Sequence, residues 1–177
     1  TTTSKRVSLQ TKVLGLNPVV IEMDNYFMNR ENTPLDSDGN YDFESLGALD
    51  TEFLNMQMNE LFSGKTIELP RFDFAAGCRT ASGNTLSLGE KDILIMEGIH
   101  GLNPNLTSHI PQEKILRIYA SALTSLSLDE NNNISTSDSR LIRRMVRDYH
   151  FRGISPEETI MRWPSVRRGE ITNIFPF

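Results

Sequence analysis

The chain has 177 residues, of which 38% are hydrophobic and 23% are charged, a balance that predicts one soluble globular domain with a buried core. Its net charge of −5 does not indicate general binding to nucleic acids or membrane surfaces. No apolar stretch approaches the ~20 residues that span a bilayer. The single cysteine, Cys78, excludes an internal disulfide and fits a reducing, cytoplasmic compartment.

The first third of the chain predicts a helix, a strand and a second helix. The segment 1–14 has spaced apolar residues and ends at Gly15, which predicts a short helix. The apolar run 19–23 predicts a strand covered on both faces, as in a parallel sheet. Turn residues fill 25–40, and Asp50 is placed to cap a helix that runs to Phe62.

The middle of the chain predicts four strands. A strand over 66–74 is interrupted by Pro70, and a small strand over 85–88 follows the turn residues Gly83-Asn84. The apolar runs 93–97 and 115–120 predict two further strands, and a helical turn lies near 103–109 between them.

Two helices are predicted at the end of the chain. The first covers 137–150, and the second opens at Ser155 with a capping box and a proline at its first helical position. Pro164 lies inside this second helix and is expected to kink it. The alternation of strands and helices predicts an α/β fold with a mainly parallel sheet.

Two carboxylates follow the apolar strands. Asp24 comes directly after the strand 19–23, and Glu97 ends the strand 93–97. Ligands bind at the carboxyl ends of strands in open α/β sheets, so Asp24 could accept a proton from a substrate hydroxyl and Glu97 could hold Mg²⁺. The alternatives are that Asp24 caps the following turn and that backbone amides satisfy Glu97.

The helix over 137–150 carries an arginine stripe. At 100° per residue its arginines fall in one wedge, and apolar residues fill the opposite side. The stripe suits phosphate oxygens, although a solvated basic face is the alternative. The members of the stripe are Arg140, Arg143, Arg144 and Arg147, and the apolar residues opposite them are Leu141, Ile142, Met145, Val146 and Tyr149.

Five segments together resemble the uridine kinase family of P-loop nucleoside kinases, which is related to phosphoribulokinase. They are MDNYF at 23–27, NYDF at 40–43, LPRFDF at 69–74, IMEGI at 95–99, and RRMVRD at 143–148 with Arg152-Gly153 behind it. The resemblance covers nearly the whole chain. It implies a three-layer α/β/α fold of the P-loop NTPase type, with a substrate-side hairpin over 66–90 and a lid region over 140–155 in a single kinase domain.

The resemblance also implies a role for individual residues. Asp24 would be the catalytic base toward a ribose 5′-hydroxyl, with ATP or GTP as the phosphate donor and Mg²⁺ as the cofactor. Glu97 and the hydroxyl of Thr1 would belong to the magnesium shell, and Thr1 would also contact the nucleotide. Arg147 and Arg152 would bind the ATP phosphates, and the substrate-binding residues would be Tyr26, Asp42, Phe72, Arg79, Arg144 and Arg162. Homo-oligomers occur in the family, so one is plausible here by analogy.

Three departures from the family pattern leave the acceptor open. The phosphate loop G-x-x-x-x-G-K-[ST] and its strand are expected to be missing ahead of Thr1, and so is the family's final strand after Phe177. The family's pocket residues are replaced by Phe72, Gly77, Ile154 and Arg162. Arg162 raises the alternative of an anionic acceptor such as a sugar phosphate. A catalytically inactive nucleotide- or anion-binding remnant is the other alternative, with very low expected ATP affinity.

Overall fold

The computed structural model describes residues 2–121, 127 and 129–177. Short single-turn helices connect the main elements. In chain order these elements are α1 (Thr2–Val13), β1 (Asn17–Glu22), α2 (Thr51–Phe62), β2 (Ile67–Asp73), β3 (Cys78–Leu86), β4 (Asp92–Glu97), α3 (Thr136–Arg152) and α4 (Pro156–Asn173). The predicted α/β class is confirmed.

Strands β1 and β4 form a parallel pair, as the two apolar runs predict. The register places Asn17 opposite Asp92 and Glu22 opposite Glu97, so the two strands end at the same edge of the sheet. Ile21 is buried, whereas Val20 and Ile93, on the opposite face of the pair, are 37% and 39% exposed. The expectation that both faces are covered is therefore wrong for this pair.

Strands β2 and β3 form an antiparallel hairpin that is longer than the sequence predicts. The register moves from Glu68 opposite Thr85 to Pro70 opposite Ala81, so β3 carries extra residues at a bulge. Gly83 lies in this bulge with φ +74°. A glycine that marks a turn in the sequence is instead a bulge inside a strand, and this explains why the first half of β3 is missed.

The helix boundaries follow the predicted caps. The Asp50 side chain accepts a hydrogen bond from the Phe53 N–H at the start of α2. The Ser155 hydroxyl and the Glu158 carboxylate form the predicted capping box at the start of α4. Pro164 lies inside α4, and the kink there stays a prediction.

The strand predicted over 115–120 is wrong. This segment is irregular, and Leu116 and Ile118 are largely exposed. An extended run becomes a strand only when a neighbour supplies its hydrogen bonds, and in the part of the chain that the structure describes no strand pairs with it.

The core fixes the turn that follows β1. Met23 and Tyr26 in this turn pack with Ile21 and with apolar side chains of α2. The other buried members of the cluster are Leu49, Leu54, Met58, Leu61, Ile67, Leu106 and Ile110. Among the described helices, none is long and apolar enough to cross a bilayer.

Candidate active site

Asp24 and Glu97 lie at the shared edge of β1 and β4, as predicted. Asp24 belongs to the single helical turn Met23–Tyr26, whose buried end residues leave the Asp24 side chain 52% exposed. Glu97 ends β4, and its Oε2 accepts a hydrogen bond of 2.9 Å from the Ser4 hydroxyl of α1. The core thus fixes the backbone of this edge while one carboxylate faces solvent.

Gly98 allows the close approach that the sequence suggests, but the group that approaches is a protein side chain. A Cβ at Gly98 would lie 2.7 Å from the Met23 side chain. The chain after β4 therefore packs directly on the turn that carries Asp24. This contact ties the two strand ends together.

The surroundings of Asp24 suit a proton acceptor. Partial burial raises the pKa of Asp24, and the nearby Glu97 acts in the same direction. Arg152 and Arg147 lower this pKa, and Arg152 Nη2 lies 3.9 Å from Asp24 Oδ2. A carboxyl whose pKa is raised is a stronger base when it is ionised, and the two arginines limit the rise.

Three members of the arginine stripe of α3, Arg140, Arg144 and Arg147, pair with protein carboxylates, whereas Arg143 is exposed. Arg144 Nη1 lies 3.3 Å from Glu44 Oε1, and Arg140 pairs with the buried Glu170. The apolar side of α3 remains partly exposed. Ile142, Val146 and Tyr149 on that side are 49%, 54% and 61% exposed.

Three phenylalanine rings gather beside the candidate base. Ring centroids are 5.2 Å apart for Phe72 and Phe74, and 5.7 Å for Phe27 and Phe72. The Arg152 guanidinium lies 4.8 Å from the Phe74 ring centroid. The Phe72 N–H donates to the side chain of Asn25, so the hairpin is held against the turn that carries Asp24. These contacts bring Phe72 and Arg152 to the same place as Asp24.

Asp42 lies in a half-buried turn next to the same site. Its Oδ1 accepts from the Glu44 N–H. Burial raises the pKa of Glu44, and both Asp42 and Asp24 add to this effect while Arg144 opposes it. The Asp42–Glu44 hydrogen bond and the Glu44–Arg144 ion pair place these three residues together, and the charge of Asp24 also raises the pKa of Glu44.

Other predicted site residues lie elsewhere. Tyr26 is 1% exposed, and its hydroxyl donates to Gln57 Oε1 in the core. Arg79 pairs with Asp50 at 2.9 Å and lies over the Phe53 ring. Arg162 is exposed on α4, and within the described ranges it pairs with no carboxylate. The predicted nucleotide and metal contact Thr1 lies outside the described residues.

Sequence reasoning missed three residues of this region. Ser4 contacts Glu97, and Glu44 contacts Arg144. Arg30 lies against Gly77, where a Cβ would come within 2.8 Å of the guanidinium carbon. Only Gly77, a departure from the family pattern, could have pointed to Arg30, because a missing side chain leaves space for another one.

The oxygen atoms at the sheet edge fit a hard cation. Mg²⁺ is usually bound through one or two carboxylates together with water and substrate phosphates. Glu97 supplies a carboxylate and Ser4 a hydroxyl, and Asp24 lies close enough to influence them electrostatically. In the described part of the chain, no group of three histidine, cysteine or acidic side chains is placed to hold a metal ion.

Comparisons with known proteins agree with this geometry. The model of the Phosphoribulokinase / Uridine kinase family matches residues 5–175. A uridine kinase of Macrococcus caseolyticus is 29% identical over 93% of this chain and 73% of its own length. A uridine kinase of Deinococcus deserti is 27% identical over 92% of this chain and 69% of its own length. A candidate fructose transport system kinase from Silicibacter sp. TM1040 shares the fold, with a TM-score of 0.55, 13% identity, and coverage of 96% of this chain and 78% of that one.

Proposed function

Because this chain belongs to the phosphoribulokinase/uridine kinase family, we propose that it transfers a phosphoryl group from ATP to the hydroxyl of a small acceptor, in first place the 5′-hydroxyl of a pyrimidine nucleoside. The observation that carries the proposal is the placement of Asp24 at the sheet edge beside Glu97, with Arg152 3.9 Å away. The names of the relatives support the choice of a nucleoside.

In the proposed reaction Asp24 accepts the proton of the acceptor hydroxyl. The hydroxyl oxygen forms a bond to the γ-phosphorus, the bond from that phosphorus to the β–γ bridging oxygen breaks, and ADP leaves. Arg152 and Arg147 balance the negative charge on the phosphate oxygens. Asp42 would accept hydrogen bonds from the ribose hydroxyls, and Arg144 would approach the nucleoside from α3.

Glu97 would hold Mg²⁺, which neutralises phosphate charge when it is bound. Ser4 would keep the Glu97 carboxylate in one orientation through its 2.9 Å hydrogen bond. The Phe27, Phe72 and Phe74 rings would cover one side of the acceptor and limit access of water to the transferred group. Tyr26 and Arg79 have no part in this proposal because their side chains are committed to the core and to Asp50.

The proposal is tested in a coupled assay for ADP release on the full-length protein, with uridine, cytidine and a sugar phosphate as acceptors. We expect pyrimidine-dependent turnover, and a 10²- to 10⁴-fold lower kcat for Asp24→Asn, the size typical of losing a general base. Asp38→Asn is the matched control, because it removes the same charge from an exposed turn. Nucleotide binding without turnover of any acceptor would instead favour the inactive binding remnant.

One observation favours an anionic acceptor as a second candidate. The Arg30 guanidinium occupies the space above Gly77 and donates to the Phe74 carbonyl at 3.1 Å, next to the aromatic rings. Within the described ranges it pairs with no carboxylate, so it could bind a phosphate group of the acceptor. Turnover of a sugar phosphate but not of uridine or cytidine, lost on Arg30→Ala, would replace the nucleoside assignment.

A further inference from the structure

Three arginines of the candidate phosphate-binding face meet at one buried carboxylate. Asp148 is 2% exposed. Its Oδ2 lies 3.3 Å from Arg144 Nε, and its Oδ1 lies 3.0 Å from Arg147 Nε and 3.5 Å from Arg152 Nη1. The Asp148 side chain therefore contacts the proposed nucleoside-facing arginine and both proposed ATP-binding arginines.

The backbone of Asp148 fixes the same region. Its carbonyl oxygen accepts hydrogen bonds from the N–H groups of Gly153 and Ile154. Gly153 has φ +65°, the left-handed conformation that ends a helix and turns the chain. The position of Arg152 thus depends on Asp148 through both the carboxylate and the helix end.

Two of the three arginines also contact a second carboxylate. Arg144 reaches Glu44 of the turn around Asp42, and Arg152 reaches Asp24. Positive and negative groups therefore alternate along one path from Glu44 through Arg144, Asp148 and Arg152 to Asp24. Asp148 lies at the centre of this path, where it separates guanidinium groups that would otherwise repel each other.

A carboxylate in this position has no use as a direct ligand of an anionic substrate. Arginine side chains are long and lose much rotamer freedom when they are fixed. A central anion that accepts from Arg147 Nε and pairs with Arg144 holds these side chains before a ligand arrives. Arg147 keeps 49% of its side chain exposed, so a fixed guanidinium still has donors free to face a phosphate.

We propose that Asp148 is a positioning residue that holds Arg144, Arg147 and Arg152 in a single arrangement beside Asp24, with Arg147 and Arg152 ready to receive the phosphates of the donor and Arg144 ready to contact the acceptor. The assignment rests on the proposed phosphotransfer function. It extends that function by naming the group that prepares the arginines, which themselves contact the substrates.

The test compares Asp148→Asn with Asp138→Asn in the full-length protein. Asp138 is exposed on the first turn of the same helix, and in the described residues it forms no ion pair with an arginine. For Asp148→Asn we expect the KM for ATP to rise and kcat/KM to fall at least tenfold. For Asp138→Asn we expect both constants to stay within twofold of the wild type.

The direction of the KM change separates the alternatives. Removing a negative charge beside three arginines would by itself strengthen attraction for ATP, so a lower KM would show that Asp148 only weakens binding and would overturn the proposal. A lower kcat with an unchanged KM and a lower Tm would show a merely structural role and would overturn it too. If Asp148→Asn does not fold, Asp148→Glu keeps the charge and displaces it, and a wild-type KM for that variant would contradict positioning.

The Nε–H resonances of the arginines give a readout that needs no turnover. Arg147 donates to Asp148 through Nε and Arg144 Nε lies 3.3 Å from the same carboxylate, so both signals should shift in Asp148→Asn and stay in place in Asp138→Asn. An inactive wild type with these shifts would refute the proposed kinase function but not the positioning by Asp148. If the wild type is active but its arginine Nε–H resonances do not shift in Asp148→Asn, the positioning role alone would be refuted.

Discussion

At the scale of single residues, Tyr26 shows how a family position can acquire a core role. The phenol is buried, and its hydroxyl donates at 2.8 Å to Gln57, whose amide nitrogen donates in turn to the Glu68 carbonyl. Burial raises the pKa of Tyr26 to about 12 from its ordinary value of 10.0. The tyrosine therefore links the turn that carries Asp24 to helix α2 and strand β2.

Replacing Tyr26 with phenylalanine should lower the free energy of unfolding at pH 7 by about 1–3 kcal/mol, because Gln57 Oε1 loses its donor in a buried place. Tyr41→Phe, at a side chain that is 44% exposed, is the control and should cost little. Urea unfolding of the wild type and of each variant measures both values.

Comparing the wild type with Tyr26→Phe at different pH values tests the pKa of Tyr26. Its hydroxyl ionises near pH 10 in the unfolded chain and near 12 in the folded one, so its stabilising contribution is complete below pH 10 and disappears as the pH rises toward 12. Two pKa units correspond to about 3 kcal/mol. The stability gap between the wild type and Tyr26→Phe should therefore narrow above pH 10, and a constant gap would contradict the buried phenol.

At the scale of elements, the hairpin β2–β3 depends on two glycines with positive φ that differ in their surroundings. Gly77 has φ +71° and lies against the Arg30 guanidinium. Gly83 has φ +74°, and a Cβ at this position would have no neighbouring atom within 4 Å. The backbone conformation is the same in the two cases, so the difference between them is the space that Arg30 occupies.

Gly83→Ala should cost about 1–2 kcal/mol, the strain of a left-handed alanine. Gly77→Ala should cost about 1 kcal/mol more, because the Arg30 guanidinium must move and give up its bond to the Phe74 carbonyl. In an Arg30→Ala background the two glycine substitutions should cost the same. Thermal unfolding of the five variants tests this, and an excess cost for Gly77→Ala that survives without Arg30 would be evidence against the packing described here.

Asp50, at the start of helix α2, both caps the helix and pairs with Arg79. Asp50 accepts from the Phe53 N–H through one oxygen and from Arg79 through the other. Asp50→Ala removes both contacts and should cost about 1–2 kcal/mol. Asp50→Asn keeps the cap and should cost less than about 1 kcal/mol, since the ion pair with Arg79 is partly exposed. Equal losses in urea unfolding would mean that the ion pair outweighs the cap.

The elements also show which features a single sequence can predict. Helix caps at Asp50 and Ser155 are local chemistry, and the parallel pairing of β1 with β4 follows from two similar apolar runs that each end in an acid. The orientation of α3 does not follow from local chemistry. Its periodicity shows one basic and one apolar side, but the carboxylates that draw the basic side inward, Glu44 and Glu170, come from distant parts of the chain.

The same limit applies to the candidate site. Asp24 and Glu97 could be placed together because strand ends determine their positions. The contacts of Arg144 with Glu44 and of Arg30 with Gly77 span 100 and 47 residues and leave no pattern in the sequence. Apolar runs mislead where no neighbour pairs with them, and 115–120 is the example among the described residues.

At the scale of the whole molecule, the turn around Asp42 and helix α4 meet at a contact that only glycine permits. A Cβ at Gly169 would lie 2.5 Å from the Glu44 Cβ, and the Asn173 side chain donates to the Glu44 carbonyl at 2.8 Å. Glu44 also contacts Arg144 of α3. This one residue therefore connects the turn around Asp42 to both C-terminal helices.

Gly169→Ala tests that connection against helix propensity. Alanine in a helix interior is favoured over glycine by about 1 kcal/mol, so a free helix would gain stability. Here the new methyl group overlaps a Cβ that cannot rotate away, and such overpacking costs about 1–3 kcal/mol. We expect a net loss of stability, together with weaker binding of the acceptor, because the Asp42 turn must move.

A double-mutant cycle isolates the contact. Glu44→Gly removes the Cβ that Gly169→Ala would strike, so the double variant should be more stable than the sum of the single losses predicts, by about 1–3 kcal/mol. Glu44→Gln is the matched control, because it keeps the Cβ and changes only the charge. Its cycle with Gly169→Ala should show no such coupling if the steric contact carries the effect. Equal coupling in both cycles would instead mean that the carboxylate, through Arg144, joins the turn around Asp42 to the C-terminal helices.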